Sequence, residues 1–288
     1  MVAATLMWSI AGVVSRHLEH ARSFEVTFWR SAFNALALVA LLSWLRGPAA
    51  LWQTLRGGGR ALWLSGACWA VMFTAFMLAL TLTSVANVLV TMAIGPLFTA
   101  LASRLALGHR LATRTWVAIA VAGLGIAWMY GHQVSAGDPR HLFGTAVALA
   151  VPVAAAVNWT LLHHLRSHES PPDMLAAVLI GALISAAFTA PLAWPFAASP
   201  RDLSLLALLG VVQLAIPCLM AVAVARVLSG PEISLLGLLE VVFGVLWTWL
   251  GAGEAPPPQV LGGGLLVLGA LGANAAWALR TRPVVARG

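Results

Sequence analysis

Runs of about twenty apolar residues follow one another along almost the whole chain, parted by short breaks that carry Gly, Pro or Arg. A helix needs about 20 such residues to cross the hydrocarbon core of a bilayer. In lipid each run must satisfy its own backbone N–H and C=O groups, which leaves helices or a closed barrel. Strands of a membrane barrel alternate apolar and polar residues over about 10 positions, and these runs do not. The expected fold is therefore an all-α integral membrane protein. Only 9% of the 288 residues are charged, against about 25% in a soluble domain, and no polar stretch is left to form one. Ten spans are predicted, over residues 2–18, 24–45, 61–82, 84–107, 113–130, 142–165, 173–194, 203–228, 233–250 and 259–279. Thr83 is the weakest boundary, since fusing the third and fourth runs would give nine spans. The first run has no basic residue before Arg16 and reads as a retained helix, not a cleaved signal peptide.

Two stretches repeat. Residues 229–250, SGPEISLLGLLEVVFGVLWTWL, align without a gap with residues 84–105, SVANVLVTMAIGPLFTALASRL, at an offset of 145. Trp8 pairs with Trp159 and Cys68 with Cys218 at offsets of 151 and 150. The chain thus divides into two five-span repeats, 1–135 and 136–288, within one membrane domain. An odd number of spans per repeat inserts the two copies in opposite orientation. Inverted repeats are a recurrent plan of secondary transporters, with the substrate site at the midplane between the halves.

All sixteen basic residues are Arg and none is Lys. That excludes a Walker A loop and a Schiff-base lysine. With the N-terminus in the cytoplasm, eleven arginines fall on the cytoplasmic side: Arg46, Arg56, Arg60, Arg104, Arg110, Arg114, Arg166, Arg226, Arg280, Arg282 and Arg287. Four face the other way, namely Arg16, Arg22, Arg140 and Arg201, and Arg30 lies inside a span. This asymmetry obeys the positive-inside rule and puts both termini in the cytoplasm. It also accounts for the net charge of +7 without nucleic acid as a partner. Cys68 and Cys218 sit in apolar runs and do not suggest a disulfide framework.

The stretches NVLVTMAIGPLFTALASRLALGHRLATRTWVAIAVAGLGIAWM and LLGLLEVVFGVLWTWLGAGEAPPPQVLGGGLLVLGALGAN resemble the drug/metabolite transporter superfamily in its EamA-type ten-helix branch. The resemblance covers the whole chain and is nearest to amino-acid exporters of the YddG type. It implies a secondary transporter of the bacterial inner membrane, multi-pass, exporting small metabolites, amino acids prominent among them. It implies a cavity lined by the first, third, fourth, sixth, eighth and ninth spans. The Glu-Pro pair common in the family's ninth helix is broken here: Val241 follows Glu240, and the proline stands at Pro96 in the first half. The family's Gly-Glu-Arg exit becomes Gly108-His109-Arg110 and Gly253-Glu254-Ala255. These motifs mark scaffold, so substrate is left open.

Glu240 is the acidic residue well inside a span, where a charge costs about 2.5–3.5 kcal/mol on insertion scales. It either titrates or binds a substrate ammonium during transport, or it makes a structural hydrogen bond at a kink. Arg30 reads either as ion-paired to an acidic partner elsewhere or as snorkelling to the nearer interface or a structural pair, and it stands with Glu240 as a coupling or structural charge. Candidate cavity residues are Trp8, Ser9, Phe73, Asn87, Thr91, Asn158, Trp159 and Gln213; buried amides and hydroxyls can meet an ammonium and a carboxylate without a fixed charge. The competing reading is helix–helix hydrogen bonding. Trp69, Phe73, Phe76 and Met77 form either an aromatic wall for an apolar side chain or ordinary packing. Trp44, Trp63, Trp128, Trp194, Trp249 and Trp277 lie near span ends as interface anchors. Gly269 and Ala273 form a small-xxx-small pair that suits close helix approach. Pro96, Pro152 and Pro217 are hinge candidates, since each removes a backbone bond.

No metal or cofactor is expected. Adjacent His163 and His164 point about 100° apart on a helix and cannot form one ligand pair. An intramembrane enzyme is the main alternative function, next to export of a metabolite or drug other than an amino acid. The string His168-Glu169-Ser170 lacks the second histidine of HExxH, and no Gly-x-Ser-x-Gly elbow occurs. The expected partners are a small-molecule substrate and membrane lipid, with the protein a monomer or a homodimer.

Overall fold

Apolar sequence with good helix formers and little β-branched clustering winds into helix almost throughout. The structure, a computed structural model, describes all residues except 16, 22, 84, 109–110, 132–138, 167–171, 253–256 and 281–288. It does not describe the side chains of 23, 85–87, 130, 141, 248, 251–252 and 278–280. The sequence-expected exits at His109-Arg110 and Gly253–Ala255, and the Asn87 side chain, lie outside the described set.

Among the described residues the α-helical segments are, in order, α1 (Val2–Trp8), α2 (Ala11–Ser15), α3 (Ser23–Arg46), α4 (Pro48–Gly57), α5 (Arg60–Leu82), α6 (Val85–Met92), α7 (Gly95–Leu107), α8 (Thr113–Tyr130), α9 (Pro139–Leu165), α10 (Leu175–Ala193), α11 (Pro200–Leu208), α12 (Ile216–Val224), α13 (Gly230–Gly237), α14 (Leu239–Ala252) and α15 (Pro258–Arg280). A π-helical stretch, Leu209–Ala215, joins α11 to α12. No strand occurs among the described residues. Among the described residues, eight helices are long and apolar enough to cross a membrane. Two shorter apolar helices, Val2–Ser15 and Thr113–Met129, occupy the positions of the first and fifth expected spans. The chain is a multi-pass helical membrane protein. Trp44, Trp63, Trp128, Trp194, Trp249 and Trp277 are all exposed, as interface anchors must be.

The two repeat stretches break at matching places. The turn between α6 and α7 begins at Ala93, and α13 gives way to α14 at Leu238, 145 residues later. Pro96 stands in the first turn of α7 and Pro231 in that of α13, where their missing N–H costs no bond. Pro152 lies inside α9, and Pro217 opens α12 just after the π-helical stretch.

Helix α5 packs against α9 and α10, α10 also against α3, and α8 against α15. Glycines set the closest crossings. A Cβ on Gly181 of α10 would sit 2.3 Å from the Trp69 Cβ and 3.0 Å from the Gly66 carbonyl oxygen on α5. A Cβ on Gly263 of α15 would sit 2.4 Å from the Gly125 carbonyl oxygen on α8. Gly269 faces open space, so the Gly269–Ala273 pair read from the sequence is not a packing contact within the chain.

Two fully buried carboxylates fasten the rim at the N-terminal end of α3. Asp202 accepts backbone N–H bonds from Glu19, His20 and Ala21 at 2.9, 3.0 and 3.1 Å, and it forms a capping box with Ser199. Glu25 accepts from Ala197 and Ala198 at 2.9 and 2.7 Å. Beneath this rim Ala11, Val26, Met77, Leu206 and Leu209 form a buried apolar cluster. On the opposite face Asp173 pairs with Arg46 and, at 3.8 Å, with Arg226. Asp202→Ala would leave three loop N–H groups without their acceptor. We expect a loss of about 2 kcal/mol, held to that figure because the loop is partly solvated, read as a lowered unfolding temperature in detergent.

Candidate substrate cavity

A cavity of about 160 Å³ lies among α1, α3, α5, α6, α9, the π-helical stretch, α13 and α14. Its walls include Trp8, Trp69, Met72, Phe73, Phe76, Met92 and Trp159, with Arg30, Gln213 and Glu240 as the polar groups. A cavity of roughly 150 Å³ holds a benzene ring, so this space fits a small solute.

The aromatic wall is built by helix geometry. Trp69 and Phe73 are four residues apart on α5 and so share a face; their rings lie 5.5 Å apart. Trp159 of α9 meets the Trp69 ring edge-on at 5.6 Å and 89°, a favoured aromatic arrangement. The Trp69 indole N–H is buried and finds no partner among the described residues. It is a donor already stripped of water.

The charged groups come from different helices. Arg30 is 3% exposed, and its Nη1 donates to the Met77 sulfur at 3.0 Å. The sequence reading of Arg30 as a snorkelling side chain is therefore wrong. It sits two turns into α3 on the face turned to the cavity, where its guanidinium meets Met77 of α5 instead of turning outward. Glu240 stands in the first turn of α14, immediately past the break at Leu238, and is half-buried. Both side chains line the cavity, and no ion pair joins them among the described residues. Neither side chain is consumed by the other. A structural hydrogen bond for Glu240 at the kink, the bland sequence reading, is not found among the described residues.

Gln213 donates from Nε2 to the Trp8 carbonyl oxygen at 3.3 Å, and its Oε1 finds no partner among the described residues. Cys218 and Ser234 complete the lining on the same side.

Four of the sequence-expected cavity residues, Trp8, Phe73, Trp159 and Gln213, do line the space, and so does the hinge candidate Pro152. Others are helix–helix contacts. Ser9 Oγ donates to the Leu6 carbonyl at 2.7 Å and accepts from Trp247 Nε1 at 2.9 Å. Asn158 is fully buried and accepts from Ser65 Oγ at 2.6 Å. Thr91 is buried away from the lining. The sequence reading did not place Met72, Met92, Gly95, Ser234 or Cys218 on the wall. Gly95 could have been found, since it occupies the repeat position matching Glu240, 145 residues earlier.

Apolar helices, short loops and a central cavity with one guanidinium and one carboxylate define a small-solute membrane transporter. The chain matches the EamA-like transporter family over residues 1–131 and 142–275, and it belongs to that family. No curated protein sequence matches it. A solved crystal structure superposes with a TM-score of 0.79 over 98% of this chain and 96% of the other, at 18% identity. At that identity the similarity concerns the fold.

Proposed function

We propose that this transporter exports small amino acids or close relatives, those with aromatic or other apolar side chains included, across the bacterial inner membrane. The observation that carries the reading is Arg30 and Glu240 facing one cavity without pairing. An α-amino acid offers a carboxylate to the guanidinium and an ammonium to the carboxylate, and its net charge of zero leaves the cavity's balance unchanged. The wall of Trp8, Trp69, Phe73 and Trp159 suits an apolar side chain.

Two oppositely inserted five-helix halves, 1–135 and 136–288, with both termini cytoplasmic, supply alternating access in this reading. The eight long apolar helices and two shorter ones among the described residues, the matched breaks at Ala93 and Leu238 and the two matched family ranges support it. In this reading the carboxylate latches of Asp202 and Glu25 lie on the outward rim.

The test is flux of labelled amino acids into liposomes holding the purified full chain. Phenylalanine or methionine should equilibrate at least tenfold faster than in protein-free vesicles, and a neutral sugar should not. Equal flux of sugar and amino acid would end the amino-acid reading.

A further inference from the structure

Helix α4 has a role that transport does not explain. It joins α3, which ends at Arg46, to α5, which begins at Arg60. Both neighbours are spans, so α4 lies along one membrane face. None of its residues is fully buried. Leu51 and Leu55 pack against the protein core, while Trp52 is 54% exposed and Arg56 is exposed beside it. Trp52 and Arg56 are four residues apart, and the guanidinium lies 4.5 Å from the indole ring centroid. Arg60, also exposed, opens α5 on the far side of the Gly58–Gly59 break. No carboxylate among the described residues pairs with Arg56 or Arg60, whereas Arg46 nearby is already taken by Asp173.

We infer that α4 is an interfacial helix whose Trp52 and Arg56, with Arg60 at the start of α5, bind the phosphate of an acidic phospholipid in the adjoining leaflet. A helix with leucines toward the core and Trp and Arg outward lies at the headgroup level. The indole belongs there, and it holds one guanidinium in place through a cation–π contact. Arg60, at the start of α5 just past the end of α4, adds a second exposed guanidinium, and guanidinium forks suit phosphate oxygens. A zwitterionic lipid brings a cation along with its phosphate and gains less. The inference rests on membrane insertion and is independent of the transported solute.

The experiment is native mass spectrometry of the full chain released from vesicles of equal phosphatidylglycerol and phosphatidylcholine. The wild type should retain phosphatidylglycerol preferentially. Arg56→Gln and Arg60→Gln should each lower that retention about fivefold, the effect of one arginine near a charged surface. Arg104→Gln, on the same face with the same charge change, should leave it unaltered. Equal retention of the two lipids by the wild type, or an equal loss in Arg104→Gln, overturns the inference. A second arm replaces lipid with inorganic phosphate. If phosphate alone raises the unfolding temperature as much as phosphatidylglycerol does, the site is for a free anion and the lipid assignment fails.

Discussion

Glu240→Gln is expected to lower transport of a zwitterionic amino acid by about 10- to 150-fold, the equivalent of one charge-assisted bond of about 1.5–3 kcal/mol. Arg30→Gln should cost a similar factor. The two variants separate when the substrate is trimmed. Against an amine lacking the carboxylate, Glu240→Gln should lose its full factor and Arg30→Gln almost nothing. Against a carboxylic acid lacking the amine, the order should invert. The logic is that of a double-mutant cycle in which one partner is a ligand group. If both variants lose the same amount against both analogues, the residues act on the fold and not on the substrate. Thermal unfolding of each variant in detergent guards the result, because Glu240 and Arg30 hold no structural ion pair with each other.

The second large effect concerns the crossing of α5 and α10. Gly181→Val should destabilise the protein by about 3 kcal/mol, at the upper end of the usual cost of overpacking. The atoms a new side chain would meet are the Trp69 Cβ and backbone groups of Ala70 and Gly66, none of which can rotate out of the way. The helices must part instead. Trp69 lines the cavity, so solute flux should fall as well. Gly269→Val is the control, since Gly269 faces open space, and its unfolding temperature should stay within a degree or two of the wild type. Matching losses in the two variants would show that the cost comes from valine in an apolar helix and not from the crossing.

The class of fold was legible because bilayer thickness imposes one length on every segment. The same constraint made the repeat visible, and the matched breaks at Ala93 and Leu238 follow its offset of 145 residues. Within the cavity, aromatic residues were easier to place than polar ones. Trp69 and Phe73 announce a shared face by their spacing. Ser9, Thr91 and Asn158 could not be assigned from sequence, because a hydroxyl or amide that lines a cavity and one that bonds a neighbouring helix share the same composition and period. Asn158 was settled by Ser65, 93 residues away. Arg30 was misread because depth along α3 says nothing of which side its guanidinium faces; that depends on α5 and Met77. The amphipathic α4 lies in the gap between two predicted spans, where no apolar run draws notice. The latches at Asp202 and Glu25 join loops more than 170 residues apart, beyond the reach of any local pattern.

The wide turn at Leu209–Ala215 carries slack. An α-helix advances 100° per residue, and a π-type turn holds an extra residue within the same length. Passing that surplus residue along the segment would turn the residues it passes by about 100° with little change in length. Gly210, pressed against the backbone of α3 at Arg30 and Asn34, would stay fixed as the pivot. Gln213, inside the stretch and on the cavity wall, is the lining residue that such a shift would turn.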